Sequence, residues 1–530
     1  MRPLRGWMLF VAACYIISGA LLAQQRFTSG TSLLVLDVSV LDRDGNPVPD
    51  LRPEDLVVTL NGQTQPVRTM VFLTTYSTKA NATRGGGFPV SPSPAAPASS
   101  SSEPDPRLFV VMVDDLSIAP TQSKGLLVAA ERFVDSIPPR DWVGLATTSG
   151  METVNPSADR AALLAKLRRM FGRMNDPRRQ SQTYVGLMEA LMAVRSQSAL
   201  RDILDKRCGL SISKSLGQLL AESKCASDID RQTRHNATFA RRNARDQLDA
   251  YIAVINAMAP APGVKQLVVL TDGLAVAPQD SASFIPVAKA AATAGVQITM
   301  MMEEPDDIDL SFSSAGDLAH DQRQMLKQVQ TLAEVSGGQF FRVIGQPDRF
   351  YQRVLTSASA VYRIGVDLPT ELPPDGQYTV TVAVTRPGVK AFASRYAVPP
   401  PPAVASSPDE RALTPDEQMT RAVETGQPLY AVPVQMSAEV VRPEGETQLA
   451  ILVSIEVPGD TPEPLSGMFG MIGPDGRLQS GRRNLIRSAD GESYRLEFLV
   501  RAVAATYELR FAIVDGSGAV GAVAQKVVVQ

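Results

Sequence analysis

Between residues 107 and 359 short apolar runs alternate with amphipathic stretches, and that order leaves few folds open. Residues 108–113, 142–147, 267–270, 296–300 and 339–343 are apolar and of strand length, whereas 125–137, 185–194 and 288–292 repeat their apolar residues at helical spacing. Strand and helix in alternation imply an α/β domain, a doubly wound and mainly parallel sheet with helices on both faces. Such sheets bind ligands beyond the carboxyl ends of their strands, where the strand order reverses, so the residues just after each strand are the first candidates for a site.

The flanks follow a different period. From 28 to 76 apolar residues alternate with polar ones (Leu34, Leu36, Val38, Val40, then Leu56, Val58, Leu60), broken by turn chemistry at 42–47 and at Asn61-Gly62. This is a small β module. Residues 77–106 hold Gly85-Gly86-Gly87 and four serines from Ser99 to Ser102, a composition that builds no core and serves as a linker. Strand patterns return over 360–398. If those strands pair with the first module, the α/β domain is an insertion in a β sandwich. A second linker with a short helix, 399–427, opens on four prolines, Pro399 to Pro402. The last segment, 428–530, alternates at Leu449, Ile451, Val453, Ile455 and Val457 and again at Tyr507, Leu509, Phe511 and Ile513, with Asp-Gly turns between, which reads as an immunoglobulin-like sandwich. The expected architecture is therefore an α/β domain flanked by all-β sandwich-like modules.

At 530 residues the chain has material for several cores, and a formal net charge of −3 with no Lys/Arg run interleaved with aromatics argues against nucleic acid as a partner. Arg2 and Arg5 precede an apolar stretch from Trp7 to Ala23, the order of a secretory signal (residues 1–23) with cleavage after Ala23; an uncleaved anchor and a lipidated Cys14 are the rival readings. Export to the periplasm, cell envelope or medium is the expectation. Cys208 and Cys225 remain after such cleavage. In an oxidising compartment they can close a disulfide within a helical insertion at about 198–240; the other reading is two buried thiols.

Two strand ends carry acid. The first runs into Asp114-Asp115-Leu116-Ser117-Ile118-Ala119 and a later one into Thr271-Asp272-Gly273, where carboxylate and hydroxyl oxygens suit a hard cation such as Mg²⁺ or Mn²⁺. This pattern resembles the von Willebrand factor A domain, whose metal-ion-dependent adhesion site uses an Asp-x-Ser-x-Ser loop, a threonine from another loop and the Asp of an Asp-Gly strand end. The resemblance implies Asp115, Ser117, Thr183 and Asp272 as metal ligands, with Asp114 as the alternative register for the first. Ala119 stands where the family has its second serine, which removes one ligand hydroxyl. The resemblance narrows further to a bacterial, acidobacterial-type group of exported proteins with this domain. The pieces that carry the likeness are Val113-Asp114-Asp115-Leu116, Pro138-Pro139-Arg140-Asp141-Trp142-Val143, Gly263-Val264-Lys265-Gln266 and Leu332-Ala333-Glu334-Val335-Ser336-Gly337-Gly338, over roughly residues 32–398.

Other candidates have plainer readings. His235 and His320 stand in polar stretches away from any nucleophile elbow and read as surface histidines, and no Walker loop, dinucleotide fingerprint or zinc-helix motif is present. The run Glu303-Glu304-Pro305-Asp306-Asp307 reads as a solvated loop, and Asp42 to Asn46 as a turn lacking the full calcium-loop spacing. Asn81-Ala82-Thr83 and Asn236-Ala237-Thr238 match glycosylation acceptors in form. Three function classes follow. The first is a non-enzymatic module gripping a protein partner's acidic group through an open cation position. The second is a metal-free scaffold or interaction protein of the envelope, and the third an enzyme of unrecognised chemistry.

Overall fold

The computed structural model describes residues 33–74, 106–120, 124–174, 185–210, 215–261, 263–303, 315–343, 347–369, 377–397, 413–443, 448–489 and 491–529. The expected signal segment, Asn81, the Gly and Ser runs of the first linker, Thr183, Glu304 to Asp307 and Pro399 to Pro402 lie outside them.

Three units follow one another in space but not in sequence. The chain begins with β1 (Leu33–Leu41), β2 (Leu56–Leu60), β3 (Gln63–Gln65) and β4 (Val67–Thr74). It then makes the α/β unit with β5 (Leu108–Val113), β6 (Trp142–Thr147), β7 (Val154–Ser157), β8 (Lys265–Thr271), β9 (Val296–Glu303) and β10 (Gln339–Val343). The six form one sheet in the order β10-β9-β8-β5-β6-β7. Every neighbouring pair is parallel except β6 with β7, which runs antiparallel at the edge.

The sequence dictates why this sheet is covered twice. β5 is apolar at all six positions and all six are buried, because successive side chains point to opposite faces. Phe109, Val111 and Val113 pack on one face against α1 (Lys124–Ser136), α2 (Ala161–Leu167) and the later α9, through Phe133, Leu163 and Tyr351. Leu108, Val110 and Met112 pack on the other against α6 (Lys224–Met258), α7 (Ile285–Ala294) and α8 (Ala315–Ser336), through Tyr251, Val287 and Val329. Short helices α3 (Leu187–Ala193), α4 (Gln197–Cys208) and α5 (Leu216–Glu222) precede α6 and share its core, and α9 spans Asp348–Ser357. Cys208, the last residue of α4, is disulfide-bonded to Cys225 in the first turn of α6 (S–S 2.00 Å). The helical excursion does not end near 240. α6 is a single helix of 35 residues whose second half is the crossover leading into β8.

The chain then returns to its first module with β11 (Ala360–Asp367), β12 (Tyr378–Val384), β13 (Lys390–Phe392) and β14 (Tyr396–Ala397). The two sheets are β13-β1-β11-β4 and β14-β12-β2-β3. β11 lies between β1 and β4, with Leu36 opposite Ile364 and Phe72 opposite Tyr362. The α/β unit is thus inserted between two adjacent strands of a sandwich whose core includes Leu34, Val38, Val58, Leu60, Ile364 and Val380.

The last unit starts earlier than its strand pattern suggests. Helix α10 (Pro415–Thr425), capped by Thr414 with Glu417, rests Met419, Ala422 and Val423 on Ala512, Val514, Val520 and Ala522, so it belongs to the module rather than to the linker. Nine strands follow: β15 (Leu429–Tyr430), β16 (Gln435–Val441), β17 (Leu449–Pro458), β18 (Ser466–Ile472), β19 (Leu478–Arg483), β20 (Ile486–Arg487), β21 (Ser493–Ala502), β22 (Ala505–Val514) and β23 (Val520–Val529). They form antiparallel sheets β15-β23-β22-β18-β19 and β16-β17-β21-β20. This module is fastened to the α/β unit. Tyr430 is buried in the core of the latter, Asn155 of β7 donates to the Ala522 carbonyl (3.1 Å), and Gln435 donates to Ser157 Oγ (2.6 Å).

Candidate functional site

In the α/β sheet the first strand, β5, lies beside the fourth, β8, so the connections leaving them diverge to opposite faces. This is the switch point at which α/β sheets open a crevice. Asp114-Asp115 and Thr271-Asp272 end the two strands side by side, held in register by Asp114 N–H donating to the Leu270 carbonyl (2.8 Å).

The two aspartates have opposite fates. Asp114 points inward and is fully buried, accepting from Thr148 Oγ1 (2.9 Å), Gln247 Nε2 (2.5 Å), Thr271 Oγ1 (2.7 Å) and the Tyr251 hydroxyl (3.2 Å). Burial pushes its carboxyl above the usual aspartate range, and the hydrogen bonds from Thr271, Ser117, Gln247 and Thr148 offset only part of that rise. The Tyr251 hydroxyl is pushed well up by the same burial and by the adjacent Asp114. Asp114 is therefore a core residue: four neutral donors converge on it because water does not reach it.

Asp115 is also buried, but it faces a cation. Its carboxylate lies 2.9 Å from Thr148 Oγ1, whose single proton it shares with Asp114, and accepts from Ser149 N–H (3.0 Å) and Ser149 Oγ (2.5 Å), and Arg173 Nε lies 3.2 Å from Oδ2. The arginine is carried by the segment 171–174, which lies along the loop after β5. Arg173 N–H donates to the Asp115 carbonyl (2.6 Å) and Met174 N–H to that of Ile118 (3.0 Å). Gly172 is required for this approach, because a Cβ there would stand 2.1 Å from the Ile118 carbonyl oxygen.

Ser117 joins the two strand ends. Its Oγ donates to the Asp114 carbonyl (3.0 Å), is 3.0 Å from Thr271 Oγ1, and accepts from Asp272 N–H (3.0 Å). Asp272 is half-buried, and Ala119 is buried without an oxygen to offer. Thr183 falls outside the described residues. The chain resumes at Val185, whose carbonyl accepts from Asn236 (2.7 Å), and at Gly186, beyond which Asp321 of α8 caps the Leu187, Met188 and Glu189 amides. A Cβ at Gly186 would meet Asp321 Oδ1 at 2.3 Å.

As arranged, Asp115 and Ser117 leave no open oxygen for a divalent ion. Both oxygens of Asp115 are engaged, the Ser117 hydroxyl has three neighbours, and a cation on Asp115 would meet the Arg173 guanidinium. Among the described residues no group of three or more His, Cys, Asp or Glu side chains is placed to hold a metal. His235 and His320 are exposed, and Asp42 is spent on the amides of its own turn, Asp44 (2.9 Å) and Asn46 (2.8 Å).

Sequence reasoning missed Arg173, Thr148, Ser149, Gln247 and Tyr251. The last two were legible in principle, since they are four residues apart beside Leu248 and Ile255 on the apolar stripe of α6. Comparison with known protein families and with curated proteins returns no match for this chain.

Proposed function

We propose that this chain is an exported, non-catalytic binding protein whose central unit is of the von Willebrand factor A type and meets a protein partner at the β5/β8 strand ends. The reading is carried by one observation. Two strand ends bearing Asp115, Ser117 and Asp272 meet at the single reversal of a sheet ordered β10-β9-β8-β5-β6-β7 with an antiparallel edge. The order supports a doubly wound domain, and the crevice above its switch point is where such a domain takes its ligand. The β modules on either side present this unit; Tyr430, the Asn155–Ala522 bond and the Gln435–Ser157 bond fasten the later one to it.

A photoreactive residue at position 171, beside the crevice, tests the reading against one at position 140, at the opposite end of the sheet. The expected result is a discrete crosslinked partner from 171 and none from 140 in the native cells. Crosslinks of equal yield from both, or none from 171, remove the crevice as a binding site.

A second reading keeps Mg²⁺ or Mn²⁺ on Asp115, Ser117, Thr183 and Asp272, and is favoured by the Asp272 amide bonded to Ser117 Oγ. It requires Arg173 to leave Asp115. Calorimetry with millimolar Mg²⁺ or Mn²⁺, repeated on Asp272→Ala, separates the two readings, because only a metal site gives heat that the substitution abolishes.

A further inference from the structure

We infer that the partner's acidic group is received by Arg173, so that the crevice works as a carboxylate-binding site with no divalent cation; this rests on the reading of the crevice as a partner site. An adhesion site of the metal-dependent kind places a positive centre on a buried aspartate and leaves part of that centre open to an incoming carboxylate. The same arrangement exists here in covalent form. Asp115 is the buried aspartate and the Arg173 guanidinium is the positive centre, held through Nε at 3.2 Å and through its own backbone amide at 2.6 Å.

Three observations say that this guanidinium is presented rather than merely neutralised. Its side chain remains 34% exposed, while the carboxylate it pairs with is 2% exposed. The ion pair with Asp115 runs through Nε, and among the described residues the two terminal nitrogens make no hydrogen bond, which leaves the planar fork that matches a carboxylate bidentately. Phe171 lies under the guanidinium, with Cζ 5.3 Å from the ring centre, and is itself 54% exposed. An exposed aromatic ring beside an oriented arginine offers apolar contact and charge together, which fits the methylene stem and carboxylate of a glutamate side chain. The segment is not free to drift from this pose, since Gly172 packs its backbone onto Ile118 and Met174 bonds the same carbonyl.

The test uses the full chain and a short acetylated peptide with one glutamate between leucines. A glutamine peptide serves as control, and binding is followed through the guanidinium nitrogen resonances of ¹⁵N-arginine-labelled protein. In the presence of chelator the glutamate peptide is expected to shift the Arg173 signal saturably, and millimolar Mg²⁺ is expected to change nothing. The glutamine peptide should bind roughly tenfold more weakly, and so should Arg173→Gln, which lacks the resonance and is followed by calorimetry, as is Arg173→Lys; this is the loss expected for a charge-assisted hydrogen bond. Arg173→Lys should fall between, because it keeps the charge and loses the fork. Phe171→Ala leaves the Asp115–Arg173 pair intact and so guards against a folding artefact; it should weaken binding while the Arg173 signal still responds. Binding that appears only with Mg²⁺ or Mn²⁺ and ignores Arg173→Gln overturns this inference but keeps the crevice as the partner site. No binding under either condition, together with no crosslink from position 171, overturns both.

Discussion

The buried ion pair at the opposite end of the sheet from the crevice should be among the most sensitive points of the α/β unit. Arg107, just before β5, places Nε 2.8 Å and Nη2 2.5 Å from Asp141 Oδ2, while its backbone amide donates to Oδ1 (3.1 Å). Both side chains are essentially inaccessible to water. Replacing Asp141 by alanine leaves the guanidinium buried without its carboxylate, a change that costs about 3–5 kcal/mol in comparable pairs. For a unit of this size each kcal/mol lowers the melting temperature by roughly 2–4 °C, so Asp141→Ala should melt roughly 6–20 °C below the native chain. Trp142 follows Asp141 directly and reports on this transition by fluorescence, with calorimetry as the independent readout. The double variant Arg107→Met/Asp141→Leu removes both charges, and apolar replacement of a buried pair is often neutral, so it should recover most of the loss. A melting temperature for Asp141→Ala within about 2 °C of the native value would refute the reasoning, because it would mean that the pair is hydrated or replaced at no cost.

Asp114→Asn should change the slope of stability with pH. Burial raises the folded-state pKa of Asp114, so the native chain holds this proton to higher pH than the unfolded chain does. Its contribution is complete below the ordinary aspartate range and is lost as pH rises through the raised value, by up to about 1.4 kcal/mol per pH unit. The substituted amide does not titrate, so the variant should gain on the native chain in urea midpoint as pH rises above the ordinary aspartate range; a constant difference would show that Asp114 does not titrate there. Cys208→Ser/Cys225→Ser opens a link spanning 17 positions and should cost up to about 3 kcal/mol through loop entropy. Hydrogen exchange should then rise across α4, α5 and the first turns of α6, and stay low around Gln247 and Tyr251, which are anchored in the core.

What could be read from the sequence follows the strength of the local signal. β6 coincides with its apolar run to the residue, because a strand buried on both faces has few polar positions to blur its ends; β10, an edge strand with Arg342 exposed, also keeps its expected bounds. β7 was not foreseen. Its four residues, Val154-Asn155-Pro156-Ser157, look like a loop, and they are buried because the last module covers them, as the Asn155 bond to Ala522 illustrates. The aspartate pair was visible at the strand end, but nothing local says that Asp114 turns inward while Asp115 turns to Arg173. The choice is made by Gln247 and Tyr251, more than 130 positions away. Arg173 had no signal at all, since Phe171-Gly172-Arg173 follows a short helix and its partner lies in a loop nearly 60 positions earlier.

The insertion has a consequence for how the chain is made. β11 separates β1 from β4, and β12 pairs with β2, so each sheet of the first sandwich lacks one of its two inner strands until synthesis has passed the whole α/β unit. About 285 positions lie between the end of β4 and the start of β11, a delay of roughly 15–60 s at ordinary translation rates. During that interval β1 and β4 are strands without a sheet, with apolar faces such as Leu34, Leu36 and Val38 uncovered. Edges of that kind invite pairing with other chains. The α/β unit shortens the exposure, because Thr74 and Ala360 are opposite each other once it has folded, and its closure delivers the returning strand to the edges that have been waiting for it.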